Sequence, residues 1–303
     1  MKIDFAKLGS PVLLRGSERT AYRDPAAVYH EGCFHLFFTW VTIEDDGGVF
    51  LRLAVSKSAD LVSWTPPRAL TPKRRDLNYS SPGNIVRFEG RWVMCLQTYP
   101  RPRGEKWADD SARLFVMRSD DLETWDEPEL LRVKGNGVPR EAMGRMIDPY
   151  LFEDKDEPGK WWCSYKQDGV SLSWSRDLRE WCPFGRIDAG ENSCVVVEEG
   201  EYLLFHSPEN GIGIKRTRDL VTWRDEGILT LGQAEWPWAR GRLTAGFVLD
   251  LRDRPEVGRR LLFFHGSGPE DERTMFDNFA SIGLAWDDRQ GGWSWPRVRA
   301  LNS

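Results

Sequence analysis

Asp60-Leu61-Val62-Ser63-Trp64 is the first of four copies of one short pattern, Asp-Leu-x-x-Trp. The others are Asp121-Leu122-Glu123-Thr124-Trp125, Asp177-Leu178-Arg179-Glu180-Trp181 and Asp219-Leu220-Val221-Thr222-Trp223, and Asp287…Trp293 reads as a degenerate fifth. A second pattern interleaves with it: a polar residue, often followed by Pro, then an apolar run, a Gly turn and another apolar run. Its copies begin at Asp24, Ser81, Asp148, Glu191 and Thr244, and their turns centre on Gly32, Gly90, Gly159, Gly200 and Gly258. Two apolar runs across a short Gly-containing turn predict a β-hairpin. Each unit therefore holds two hairpins, the second ending in the Asp-Leu-x-x-Trp turn.

Four strands per unit and five units, with starts 57, 67, 43 and 53 residues apart, predict an all-β fold, a five-bladed β-propeller with four antiparallel strands per blade, filling residues 1–303 as a single domain. The Trp of each copy is expected to pack between blades, because its position tracks the repeat. A two-domain sandwich would explain the strands but not the repeat. The Gly-His and Trp-Asp signatures of a tryptophan–aspartate propeller are absent.

Composition sets limits on partners. Lys and Arg total 42 against 47 Asp and Glu, a formal charge of −5 that argues against a nucleic-acid partner. Fifteen Trp and a 12% aromatic fraction exclude a disordered chain. Charged residues at 29%, with no apolar run near 18 residues, argue against a membrane partner or span. The start, Met1-Lys2-Ile3-Asp4-Phe5, has no apolar signal region, and five Cys lack any C-x-x-C spacing. The expectation is a cytoplasmic protein without a disulfide framework, a trimmed secreted protein being the alternative. Oligomeric state is not readable.

In a propeller the first strand of each blade lines the central channel, so the five strand starts converge at one mouth. Three of them are carboxylic acids: Asp24, Asp148 and Glu191. Carboxylates brought together repel, and one that keeps a proton is what a general acid needs near neutral pH. The ends of the second strands should ring the same mouth: Trp40, Thr98 and Tyr99, Lys166 and Gln167, His206 and Ser207, and His265 to Ser267. Aromatic faces beside hydrogen-bonding groups suit a polyhydroxylated ligand. Arg23, Arg145, Arg240 and Arg242 flank three blade starts and add donors. The loops 99–111 and 134–144 are candidates to wall a pocket.

These residues resemble the five-bladed propeller glycosidases, most closely glycoside hydrolase family 43, with families 32, 62, 68 and 117 as clan relatives. Arg23-Asp24-Pro25 looks like the family's first-blade segment, which carries the general base. Ile147-Asp148-Pro149-Tyr150-Leu151-Phe152 is similar to the third-blade segment, whose Asp tunes the acid's pKa and orients substrate. Glu191, nine residues before Gly200, is similar to the general-acid segment. There are departures. Ser80-Ser81-Pro82 stands where Trp-Ala-Pro is frequent, Asn192 follows the acid where Gly is common, and the stretch 240–244 lacks the His that holds a central cation in many members. The Trp-Met-Asn-Asp-Pro motif of the retaining family 32 is also absent, which points away from a fructofuranosidase.

The resemblance implies an inverting, exo-acting hydrolase of a furanoside or xyloside, of the α-L-arabinofuranosidase or β-xylosidase type. Asp24 would be the base, Glu191 the acid, and Asp148 the group that keeps the Glu191 pKa raised. Arg23, Trp40, Ser81, Arg145, His206 and Arg242 are the candidate substrate contacts, with Trp40 as a stacking platform. The partner is an oligosaccharide or glycoside. No redox cofactor or nucleotide is implied, no metal ligand is assigned, and a structural calcium or sodium ion in the channel is compatible with the fold. The alternatives are a non-catalytic carbohydrate-binding propeller, or a related propeller enzyme: an anhydrogalactosidase, a fructofuranosidase or a glycoside phosphorylase.

Overall fold

A computed structural model of the chain describes residues 2–268, 275–288, 290 and 292–296. Its described residues form five antiparallel sheets in sequence order around one axis. Blade 1 runs from Thr20–His30 through Cys33–Ile43 and Val49–Ser58 to Arg68–Ala69. Blade 2 starts with Tyr79–Phe88 and Arg91–Thr98, blade 3 with Ile147–Glu153 and Trp161–Lys166, and blade 4 with Glu191–Glu198 and Glu201–Ser207. Blade 5 holds Arg242–Asp250, Arg260–Ser267 and Ser281–Asp287. Its outer edge is completed by the N-terminal strand Val12–Leu14, with Trp293–Ser294 pairing further along Ser281–Asp287. The ring is thus closed by a strand from the opposite end of the sequence, which the repeat alone did not reveal.

Local chemistry explains the hairpins. Glu31-Gly32, Glu89-Gly90 and Glu199-Gly200 each have positive φ at both residues, the turn whose twist matches that of paired strands. The Asp-Leu-x-x-Trp segment is also a built turn. The Asp60 carboxylate accepts the Val62 and Ser63 N–H groups, while Ser58 Oγ accepts the N–H of Leu61, which has φ of 65°. The two carboxylate hydrogen bonds recur around Asp121, Asp177 and Asp219. Trp125 meets Phe37 of blade 1 edge-on at 5.8 Å, and Trp181 is buried with Val93 and Val116 of blade 2, so these two do pack between blades.

Blade contact near the axis is tight. A Cβ on Gly83 would lie 1.5 Å from the Pro149 carbonyl oxygen of blade 3, so no side chain fits there. Asn84 Oδ1 and Nδ2 hold the Leu151 N–H and C=O of the same neighbour. All five cysteines are free thiols.

Candidate active site

Every inner strand begins with a bulge. The pairing register shifts after Arg23, Ser80, Ile147, Glu191 and Thr244, and the next residue in each blade has positive φ: Asp24 48°, Ser81 46°, Asp148 52°, Asn192 51° and Ala245 54°. L-residues enter this region at a cost of order 1 kcal/mol each, so something must hold them. In four blades a side chain from the preceding blade does so by accepting the bulge N–H. Thr39 Oγ1 takes Ser81 at 2.7 Å, Gln97 Oε1 takes Asp148 at 2.5 Å, Ser207 Oγ takes Ala245 at 2.8 Å and His265 Nδ1 takes Asp24 at 3.1 Å. The matching position in blade 3 is Lys166, whose ammonium cannot accept, and the Asn192 N–H instead supports the Asp148 carboxylate.

This register corrects one expectation. Asp24, Ser81 and Asp148 are equivalent, but Glu191 stands one residue earlier, beside the bulge, where the other blades have Arg23, Ser80, Ile147 and Thr244. Glu191 still reaches the same place. Asp24, Asp148 and Glu191 line one cavity of about 170 Å³ at the mouth of the axis, together with Arg23, Arg145 and Arg242. Below it the axial channel narrows to about 20 Å³, room for roughly one water, between the Pro25, Pro82 and Pro149 segments. Outside it a wider cleft of about 1050 Å³ shares Glu191, Arg242 and Trp107 with the cavity and adds Lys166 and Asp188.

The three carboxylates differ in their surroundings. Asp24 accepts a 2.8 Å hydrogen bond from Thr39 Oγ1, and its carboxylate lies 3.7 Å from the His265 ring. Glu191 is about a third exposed and is held at 3.0 Å by Arg242. Asp148 is buried and accepts from Ser81 Oγ at 2.7 Å. Burial first, then repulsion from Glu191 and Asp24, pushes the Asp148 pKa up to about 7. Sequence reasoning put the raised pKa on Glu191. The structure shows a raised pKa on Asp148 itself, because enclosure penalises a buried charge.

Three candidate contacts, Trp40, His206 and Ser81, do not line the cavity. Trp40 lies under the Arg52 guanidinium, 4.5 Å from its ring, and not beside the carboxylates. His206 packs on Gly213 and accepts the Gly190 N–H at 3.0 Å, with its pKa lowered to about 4 chiefly by burial. The reason is strand alternation: Thr39 and Ser207 face the axis, so their neighbours Trp40 and His206 face away. Ser81 supports Asp148 from the channel side, whereas Arg23, Arg145 and Arg242 line the cavity. Arg240 is exposed and lines neither cavity nor cleft.

The aromatic wall comes from elsewhere. Phe276 is buried, with the Arg23 guanidinium 4.2 Å from its ring centre and donating to its carbonyl oxygen. Trp107 meets Phe276 at 4.6 Å and Tyr99 meets it at 6.0 Å. A bidentate pair between buried Arg101 and Asp277, at 2.6 and 2.9 Å, ties the 99–111 loop of blade 2 to this part of blade 5. The 99–111 loop therefore walls the cavity as expected, while segment 134–144 contributes none of its lining. Phe276, Thr39 and Gln97 went unnoticed in the sequence. Period-two counting from the strand ends would have found the last two. Among the described residues no group of three or more His, Cys, Asp or Glu side chains is arranged to hold a metal ion.

Residues 22–208 match the family model described as Glycosyl hydrolases family 32 N-terminal domain. The chain belongs to that family. It is a propeller glycosidase, and the matched segment carries Asp24, Asp148 and Glu191. Sequence resemblance was closest to family 43, and solved structures similar in fold carry that name or related activities. An exo-1,5-α-L-arabinanase from a bovine ruminal metagenomic library is 15% identical, with a TM-score of 0.61 over 97% of this chain and 98% of that one. An α-L-arabinofuranosidase from Lactobacillus brevis is 11% identical, with a TM-score of 0.65 over 98% and 100%. The GH43 protein BlXynB from Bacillus licheniformis, as a mutant, is 16% identical, with a TM-score of 0.64 over 96% of this chain but only 57% of that one. At these identities the likeness is one of fold. No curated protein matches the sequence.

Proposed function

We propose that the protein hydrolyses a terminal glycosidic bond with inversion, in the cavity that holds Asp24, Asp148 and Glu191. Asp24 acts as the base that deprotonates water, fixed by Thr39 and by the bulge that His265 caps. Glu191, at the junction of cavity and outer cleft, protonates the leaving oxygen once substrate binding draws Arg242 away from it. Asp148, with its pKa near 7, carries the shared proton part of the time and hydrogen-bonds a sugar hydroxyl. The observation that carries this reading is the convergence of three carboxylates from blades 1, 3 and 4 on one water-accessible cavity. Furanosides and xylosides are the first substrates to try, because arabinanase, arabinofuranosidase and xylosidase propellers share the fold.

Nitrophenyl α-L-arabinofuranoside, β-D-xyloside and β-D-galactofuranoside test for turnover. Sugar binding without turnover would instead favour a binding propeller. A second reading has a specific support. The family 32 match favours retention, with Asp24 as nucleophile and carboxyls about 5–5.5 Å apart rather than the roughly 6.5–9.5 Å of inversion. NMR of the first-formed anomer decides: an inverted product supports Asp24 as base, and a retained one assigns it as nucleophile.

A further inference from the structure

The cavity wall also carries positive charge that the three carboxylates do not use. Arg145 lines the cavity half-buried, and among the described residues its guanidinium has no hydrogen-bond or ion-pair partner. Arg242 is spoken for by Glu191 at 3.0 Å. Asp24 and Asp148 are served by the hydroxyls of Thr39 and Ser81, not by arginine. Beside Arg145 stands Tyr99, buried, whose hydroxyl feels the positive charge of Arg145 and Arg23 and the negative charge of Glu191. Arg23 is anchored on Phe276 by ring contact and by a 3.1 Å hydrogen bond to its carbonyl. Two guanidinia and a phenol hydroxyl therefore flank one part of the cavity wall. A planar guanidinium pairs best with a carboxylate or sulfate through two parallel hydrogen bonds.

We propose that Arg145, with Tyr99 and Arg23 beside it, forms an anion-recognising subsite, so that the preferred glycoside carries a carboxylate or sulfate group next to the bond that is cut. This rests on the reading of the cavity as a glycoside site and narrows its substrate class. Neutral sugar hydroxyls satisfy the Arg145 fork only partly. An acidic sugar satisfies it fully.

Calorimetric titration tests it. D-glucuronate, D-galacturonate and D-galactose 6-sulfate are compared with neutral D-glucose and D-galactose on the wild type, Arg145→Gln and Arg145→Lys. The expected result is about ten- to hundred-fold tighter binding of an acidic sugar than of its neutral counterpart, the range a charge-assisted hydrogen bond carries. Gln removes the preference and Lys keeps part of it. Uronates binding best identifies a carboxylate, and the 6-sulfate binding best a sulfate ester. Equal binding of acidic and neutral sugars by the wild type, no binding of any acidic sugar, or a preference that survives Arg145→Gln would overturn the proposal. Should the Gln variant fail to fold, the wild type and the Lys variant still decide. The two readings fail separately. Turnover of neutral glycosides with no acid preference removes this subsite but leaves the hydrolase. Arg145-dependent binding with no turnover of any glycoside removes the hydrolase but leaves the subsite.

Discussion

Asp148→Asn removes the one carboxyl whose pKa the fold forces upward. The side chain keeps its size and can still accept from Ser81 Oγ. In the wild type the group goes from a pKa of 3.8 when unfolded to about 7 when folded. The folded state therefore holds the proton more tightly. Its contribution to stability is fully present below pH 3.8 and is lost as pH rises through 7. With about 1.4 kcal/mol per unit, three units correspond to about 4 kcal/mol, of which about 2–3 kcal/mol falls between pH 5 and pH 8. Glu191 and Asp24 are the charged groups facing it, and Ser81 and the Asn192 N–H are its polar supports. Urea denaturation of both proteins at pH 5 and pH 8 measures the effect. The wild type should lose about 2–3 kcal/mol relative to Asp148→Asn over that interval. Parallel stability curves, within about 0.5 kcal/mol, would refute the claim that burial imposes this shift.

Three further outcomes follow from the same contacts. Ser81→Ala deletes the 2.7 Å hydrogen bond to the Asp148 carboxylate, so the Asp148 titration should move further up, seen as an upward shift of the pH–rate break. Gly83→Ala drives a methyl group into the Pro149 carbonyl and should destabilise by about 3 kcal/mol or more, or abolish soluble expression, whereas Gly90→Ala meets no atom and suffers only its positive-φ strain. Arg101→Ala leaves Asp277 without its bidentate partner beneath the aromatic wall. A loss of about 3 kcal/mol by denaturation is expected, with KM rising more than kcat falls.

Much of this molecule was legible because its repeat is chemical as well as numerical. Polar starts of the inner strands mark every blade, Asp-Leu-x-x-Trp turns mark four and Glu-Gly hairpins three, and together they locate Asp24, Asp148 and Glu191. The one-residue offset of Glu191 was hidden, because a bulge inserts a residue without changing the residue types around it. Trp40 and His206 were misplaced for a related reason. At a strand end, one step along the chain turns a side chain to the other face, and only pairing register says which face meets the axis. The closing strand Val12–Leu14 and the wall residue Phe276 were invisible because each depends on contact between opposite ends of the chain. The raised pKa of Asp148 required burial, which no spacing reports.

The central claim is that Glu191 delivers a proton to the departing group. Once an active aryl glycoside is found, Glu191→Gln is compared with the wild type on a 2,4-dinitrophenyl glycoside, whose leaving group needs no proton, and on the matching alkyl glycoside, which does. The account predicts near-normal turnover of the first and a loss of about 10²–10⁴-fold on the second. Equal loss on both substrates, or none on either, would contradict it.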